Sequence, residues 1–121
     1  MDAACLALKH GWGINLSGGY HHATCSDGGG FCIYPDITFI CHYLRKWHNV
    51  RRFLVIDLDA HQGNGHERDL GDDPEVHIVD AYNNYIYPGD YEAEQKIKTK
   101  IHVSHVDDDE SYYLKLTNNI P

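Results

Sequence analysis

The stretch Phe53-Leu54-Val55-Ile56-Asp57-Leu58 constrains the fold more than any other part of the chain. Its apolar residues follow one another without the polar alternation of a half-exposed strand. Such a run fits a central parallel strand covered by helices on both faces. The segment before it supplies one helix. Pro35-Asp36 opens that helix, with Asp36 as its N-cap, and Ile37, Ile40, Cys41, Leu44 and Trp47 form one apolar stripe. Lys46 and His48 near its end suit the helix dipole. After a short helical stretch from His66 to Leu70, a second buried strand is expected at Val76 to Val79. Strand, helix, strand in this order argues an α/β fold with a parallel sheet flanked by helices.

Glycine punctuates the remainder. Ala3 to Lys9 reads as helix, ended by Gly11-Trp12-Gly13, and Trp12 to Leu16 as an extended segment that Gly18-Gly19 stops. Tyr20 to Tyr34 is a long loop, and Tyr82 to Tyr91 a second, aromatic one. Long loops in compact domains often carry function. Gly63-Asn64-Gly65 is expected as a turn. Later, Ile97, Thr99, Ile101 and Val103 alternate with Lys98, Lys100 and His102, as in a half-exposed strand. Asp107 to Glu110 would begin a last helix through Leu116, with acids at its positive end.

With 121 residues the chain fits one small domain. Its net charge of -8 opposes direct binding to a phosphate backbone and leaves room for a basic partner such as a lysine-rich peptide. Cys5, Cys25, Cys32 and Cys41 show no zinc-finger spacing, and no signal peptide precedes them. They read as reduced thiols of a protein of the nucleus and cytoplasm. No apolar run approaches the ~20 residues of a membrane span.

Two motifs carry chemistry. In Ile56-Asp57-Leu58-Asp59-Ala60-His61, the two aspartates and the histidine stand two residues apart, so on a strand they would share one face. The carboxylate of Asp59 and the imidazole of His61 can both bind zinc, at about 2 Å. Ligands of parallel α/β sheets gather at the carboxyl ends of strands. In Gly18-Gly19-Tyr20-His21-His22, adjacent histidines on a loop can reach one cleft and move protons at neutral pH. Asp57, one step deeper, would set the tautomer of a histidine beside it. Asn64 is open to two readings: a neutral partner for the other histidine, or a simple turn residue. Together the motifs point to metal-assisted hydrolysis.

The ordered set Gly-Gly-x-His-His, Gly30-Phe31-Cys32, Pro35-Asp36-Ile37, Ile-Asp-Leu-Asp-x-His-x-Gly-Asn-Gly and Tyr87-Pro88-Gly89 resembles the zinc-dependent histone deacetylases. Gln62, Asn64 and His66-Glu67-Arg68-Asp69 look most like class IV of that family. The resemblance implies an arginase/deacetylase-like fold and a lysine deacetylase acting through zinc. His21 and His22 match the catalytic pair, with Asp57 beside the first and Asn64 beside the second. Asn64 stands where several relatives have aspartate. Asp59 and His61 match two of three zinc ligands. Gly30, Phe31 and Tyr87 match the acyl-lysine channel. Asp57, Asp59, His61, Asp80 and Ala81 match a monovalent-cation site, with K+ as the expected ion and Asp80 where class I relatives have serine. Acyl-lysine proteins such as histone tails would be substrates, and corepressor proteins would be partners.

The family's third zinc ligand and its transition-state tyrosine have no counterpart in these residues, and its opening strand and helices are not recognisable either. Residues 1–121 are therefore expected to be the central part of such a domain, inactive or nearly so alone, and prone to aggregation through uncovered sheet edges. Two alternatives follow: a non-catalytic truncated product that acts by binding proteins, and a manganese ureohydrolase. The latter group usually has an aspartate where Gly63 stands, which argues against it.

Overall fold

The computed structural model describes residues 1–120. Three parallel strands form its centre: β1 (Phe53–Asp57), β2 (Val76–Tyr82) and β3 (Thr99–His102), in the order β1-β2-β3. Phe53 pairs with Val76 and Asp57 with Asp80 along β1 and β2, while Val79 pairs with Thr99 along β2 and β3. Helices α1 (Asp2–His10), α2 (Asp36–His48), α3 (Asn64–Leu70), α4 (Tyr91–Glu94) and α5 (Asp109–Asn119) complete the chain.

Strand alternation sorts β2 onto two cores. Val76, Ile78 and Tyr82 point to one face and join Cys41 of α2, Leu70 of α3 and Ile97, with Phe53 and Val55 packed alongside. Val79 and Ala81 point to the other and join Ile101, with Tyr112, Leu116 and Ile120 against them. The second face is narrower. Beyond the reach of α5, Leu54 of β1 is 51% exposed and Ile56 is 42% exposed. The expected central strand is thus the sheet edge among the described residues, and β2 is central. The apolar run of β1 shows that it is suited to cover on both faces, and only one face receives it.

Several boundaries differ from the sequence reading. β2 runs three residues past Val79, because Asp80 is a buried acid that looks like a strand end in sequence. Trp12 to Leu16 pairs with no strand, and Leu16 is 98% exposed. Asp36 is not an N-cap: Pro35 holds that place, and the Asp36 carboxylate instead accepts from the backbone N–H groups of Gly19 and Tyr20 at 2.7 and 2.8 Å. The turn expected at Gly63-Asn64-Gly65 is the first turn of α3. Short α4, capped by Asp90, starts at the last residue of the expected aromatic loop and runs into a stretch for which no element was expected. Asp108 caps α5 by accepting from Ser111 N–H. All four cysteines are free, and burial pushes the Cys41 thiol up to about 11. No helix of the described residues is long and apolar enough to cross a membrane.

Ile78 is fully buried at the centre of the larger core. Ile78→Ala is expected to lower the unfolding free energy by about 2–5 kcal/mol, read from the urea midpoint at constant slope.

Candidate metal and histidine-pair centre

The site forms where β1 ends. Strand geometry stops at Asp57, and two successive side-chain turns follow. Asp57 Oδ1 accepts from Asp59 N–H at 3.1 Å, and Asp59 Oδ1 accepts from His61 N–H at 2.8 Å. The expected common strand face therefore does not extend past Asp57. Asp57 stays buried, with its side chain 10% exposed, while the Asp59 and His61 side chains are about half exposed. The turns nonetheless bring Asp59 Oδ1 and His61 Nδ1 to 3.0 Å from each other. The two atoms are in hydrogen-bond contact, and a carboxylate oxygen and an imidazole nitrogen are atom types that can bind zinc.

The loop from Tyr20 brings the histidine pair over this strand end, with ring centroids 4.1 Å apart. The two rings are held differently. His21 Nδ1 donates to Asp57 Oδ2 at 2.8 Å. His22 Nδ1 donates to Asn64 Oδ1 at 2.8 Å. The Asn64 amide has one possible orientation: its Nδ2 donates to Asp90 Oδ2, a carboxylate that Arg68 also grips, so only its oxygen is left for His22. Both rings thus carry hydrogen on Nδ1 and keep Nε2 free for chemistry.

Electrostatics separates the pair. Burial lowers the His21 pKa, but the Asp57 hydrogen bond and the charges of Asp57, Asp59 and Asp80 outweigh it, and the net shift is upward. Burial also lowers His22, and its neutral partner Asn64 does not compensate, so its net shift is downward. Two titratable neighbours pushed apart are suited to opposite proton roles. For Asp57, burial would raise the pKa, yet the hydrogen bonds from His21 and His66 hold it well below the usual carboxylate range.

A cavity of about 690 Å³ opens above these groups, and its lining includes His21, His22, Asp59 and His61 with Gly30, Phe31 and Tyr87. Tyr87 stands edge-on to His22, with centroids 5.0 Å apart. Gly30 has φ +50, and a Cβ there would overlap the His22 ring. Phe31 is fully exposed at the rim.

Three features escaped the sequence reading. His66, 1% exposed, donates from Nε2 to Asp57 Oδ2 at 2.9 Å. His21, Asp57 and His66 have donor atoms within 4.8 Å of one another and could hold a metal ion. Beneath them lie the buried carboxyls of Glu67 and Asp80, and burial raises the pKa of both. Asp80 Oδ2 accepts from Gly63 N–H at 2.8 Å, and Glu67 accepts from Gln62 at 2.7 Å. The only signal in the sequence was an acid, Asp80, at an otherwise apolar strand position. Ala81, its neighbour, is buried on the opposite face of β2.

Residues 1–120 match the histone deacetylase domain. The chain belongs to that family of deacetylase hydrolases. Histone deacetylase 2 of Arabidopsis thaliana is 49% identical over 114 residues, which are 94% of this chain and 30% of that protein. The acetoin utilization protein AcuC of Staphylococcus aureus (strain COL) is 39% identical over 79 residues, 64% of this chain and 20% of that protein. Among solved structures, an HDAC homologue from Aquifex aeolicus aligns with TM-score 0.65 and 32% identity, over 71% of this chain and 24% of that one. An HDAC homologue complexed with SAHA aligns with the same TM-score of 0.65, over 72% of this chain and 24% of that one. The chain thus has the arginase/deacetylase-like fold in part and spans under a third of these relatives.

Burial raises the Asp80 pKa to about 9, helped by Glu67 and by the Asp57 charge. An acid raised in the folded state stabilises fully below its unfolded value, ordinarily 3.8, and that stability is lost as pH rises through about 9. Asp80→Asn is expected to keep the fold and flatten this decline in unfolding free energy, measured by chemical denaturation from about pH 4 to about pH 9.

Proposed function

We propose that this chain is the histidine-pair portion of a zinc-dependent lysine deacetylase or deacylase, of class IV type, and a partial domain in residues 1–121. The observation that carries the reading is the split pair: His21 tied to a carboxylate and His22 to an amide, both with Nε2 free beside Asp59 and His61. An aligned HDAC homologue complexed with SAHA supports a cavity that accepts an acyl-lysine chain. Histone tails are proposed substrates and corepressors proposed partners, in the nucleus and cytoplasm.

Asp59 and His61 are the residues that would hold zinc, with a further ligand needed from outside these two. The chemistry zinc supplies at such a donor set is Lewis acidity toward the amide carbonyl. The protein's own residues do the rest. His22, held below its ordinary pKa, accepts a proton at Nε2 from the attacking water. His21, held above its ordinary pKa by Asp57, takes up a proton at Nε2 more readily than His22 and can deliver it to the departing lysine amine. Phe31 and Tyr87 offer aromatic surface to the alkyl part of the substrate, and the φ +50 turn at Gly30 keeps the chain clear of His22.

Potassium at Asp57, Asp59, His61, Asp80 and Ala81 fits less well. The Asp80 carboxyl is already engaged by Gly63 N–H and Glu67, so its side chain would have to give up that proton to serve a cation. The ureohydrolase alternative meets a steric objection: a Cβ at Gly63 would overlap His66 Nε2 and Asp57 Oδ2, so no aspartate fits there.

Hydrolysis of acetyl-lysine and longer acyl-lysine peptides decides the matter. It is run on the chain and on a chimaera in which this segment replaces the matching part of the Aquifex aeolicus homologue. The chimaera is expected to turn over, and His22→Ala to slow kcat by about 10²–10⁴. The chain alone is expected to be at least about 10²-fold slower than the chimaera. A zinc-loaded, folded chimaera with no hydrolysis would sink the proposal. In a separate competition against a chromogenic chelator, His61→Ala should weaken zinc binding by about 10²-fold or more, beyond the effect of losing an outer-shell partner.

A further inference from the structure

Asp57 is served by two imidazoles, and the proposed function uses only one of them. His21 Nδ1 and His66 Nε2 approach the same oxygen, Oδ2, at 2.8 and 2.9 Å. His66 is 1% exposed, on the first turn of α3, and its Nδ1 has no hydrogen-bond partner. A buried N–H without an acceptor is costly, so the hydrogen belongs on Nε2, where Asp57 receives it. Oδ1 is already committed to Asp59 N–H. Asp57 thus accepts three hydrogen bonds spread over both oxygens, and the carboxylate cannot rotate without breaking one.

The backbone has been shaped around this contact. A Cβ at Gly63 would overlap both His66 Nε2 and Asp57 Oδ2. Two residues further, Gly65 N–H donates to His21 O at 2.8 Å, and a Cβ at Gly65 would overlap the His21-His22 backbone. The same short turn thus presses on the Asp57–His66 contact from one residue and on the histidine pair from another.

We infer that His66 is a positioning residue: by donating from Nε2 to Asp57 Oδ2 it locks the carboxylate that orients His21 and so fixes His21 as its Nδ1–H tautomer. A donor that holds the carboxylate behind a working imidazole sets that imidazole's tautomer and direction. The role rests on the deacetylase reading for its purpose, but its geometry is testable without turnover.

The test is long-range ¹H–¹⁵N correlation of the histidine rings in the ¹⁵N-labelled chain without substrate. In the unaltered protein, His66 should appear with hydrogen on Nε2 and His21 with hydrogen on Nδ1. His66→Leu should shift His21 toward a mixture of tautomers, while His66→Gln, which keeps a donor near the same place, should restore the Nδ1–H pattern. Gly63→Ala, which leaves His66 in the chain but crowds the contact, should resemble His66→Leu. If His66→Leu loses the dispersed amide signals of Val79 and Ala81, the Gly63→Ala and His66→Gln pair carries the comparison. Three results would overturn the inference: His66 with hydrogen on Nδ1, a His21 tautomer unchanged in His66→Leu or Gly63→Ala, or a His66 Nε2–H signal that vanishes on adding one equivalent of Zn2+. The last would assign His21, Asp57 and His66 to a metal. Failure to hydrolyse acyl-lysine would instead remove the proposed reaction and leave the tautomer result standing.

Discussion

The site depends on a single buried carboxylate. Asp57 sits at the last residue of β1, where a bare charge would cost several kcal/mol in desolvation. Three donors offset that cost, and each arrives from a different part of the chain: His21 from the long loop, His66 from α3 and Asp59 N–H from the turn after the strand. The carboxylate therefore ties strand, loop and helix together. Its ionisation depends on the same contacts, since the imidazole hydrogen bonds override burial and keep it charged.

The connection from β1 into α3 completes the centre in ten residues. Asp59 and His61 are lifted into the cavity by two side-chain turns rather than by strand alternation. Asn64 then meets His22, Gly65 meets the His21 backbone and His66 meets Asp57. Below this layer, Glu67 and Asp80 are buried carboxyls whose pKa values burial raises, so the helix face that seals the core is also the floor of the site. Asp80 lies beside Asp57 in the strand register, which explains why the ionisation of one opposes that of the other.

The parallel α/β architecture was legible because apolar runs and a helical stripe are local signals, and the motif order led to the same family that the comparisons identify. The contacts of His21 with Asp57 and His22 with Asn64 came from that resemblance; spacing alone did not decide them. Other features were hidden for definite reasons. Asp36 looks like a cap in sequence, yet its carboxylate reaches back 17 residues to Gly19 N–H. His66 looks like a polar helix residue, because nothing local reveals that α3 turns it toward a strand end nine residues earlier. The central place of β2 was obscured by Asp80, whose burial is tolerated only with a neighbouring carboxyl that no periodicity predicts. The parity argument for Asp59 and His61 placed the right residues together through the wrong backbone shape.

Three glycines, at 30, 63 and 65, meet His22, the Asp57–His66 contact and the His21-His22 backbone so closely that a methyl group finds no room. The interior of the centre is thus closed to variation from within the chain. The rim is different, since Phe31 and Tyr87 border the cavity and face solvent over much of their surface. Sequence drift that changes what enters the cavity has somewhere to occur, while drift that changes how the histidines are held does not. New preferences for what the cavity holds would arise in such a lineage by exchanging rim side chains over an unaltered floor.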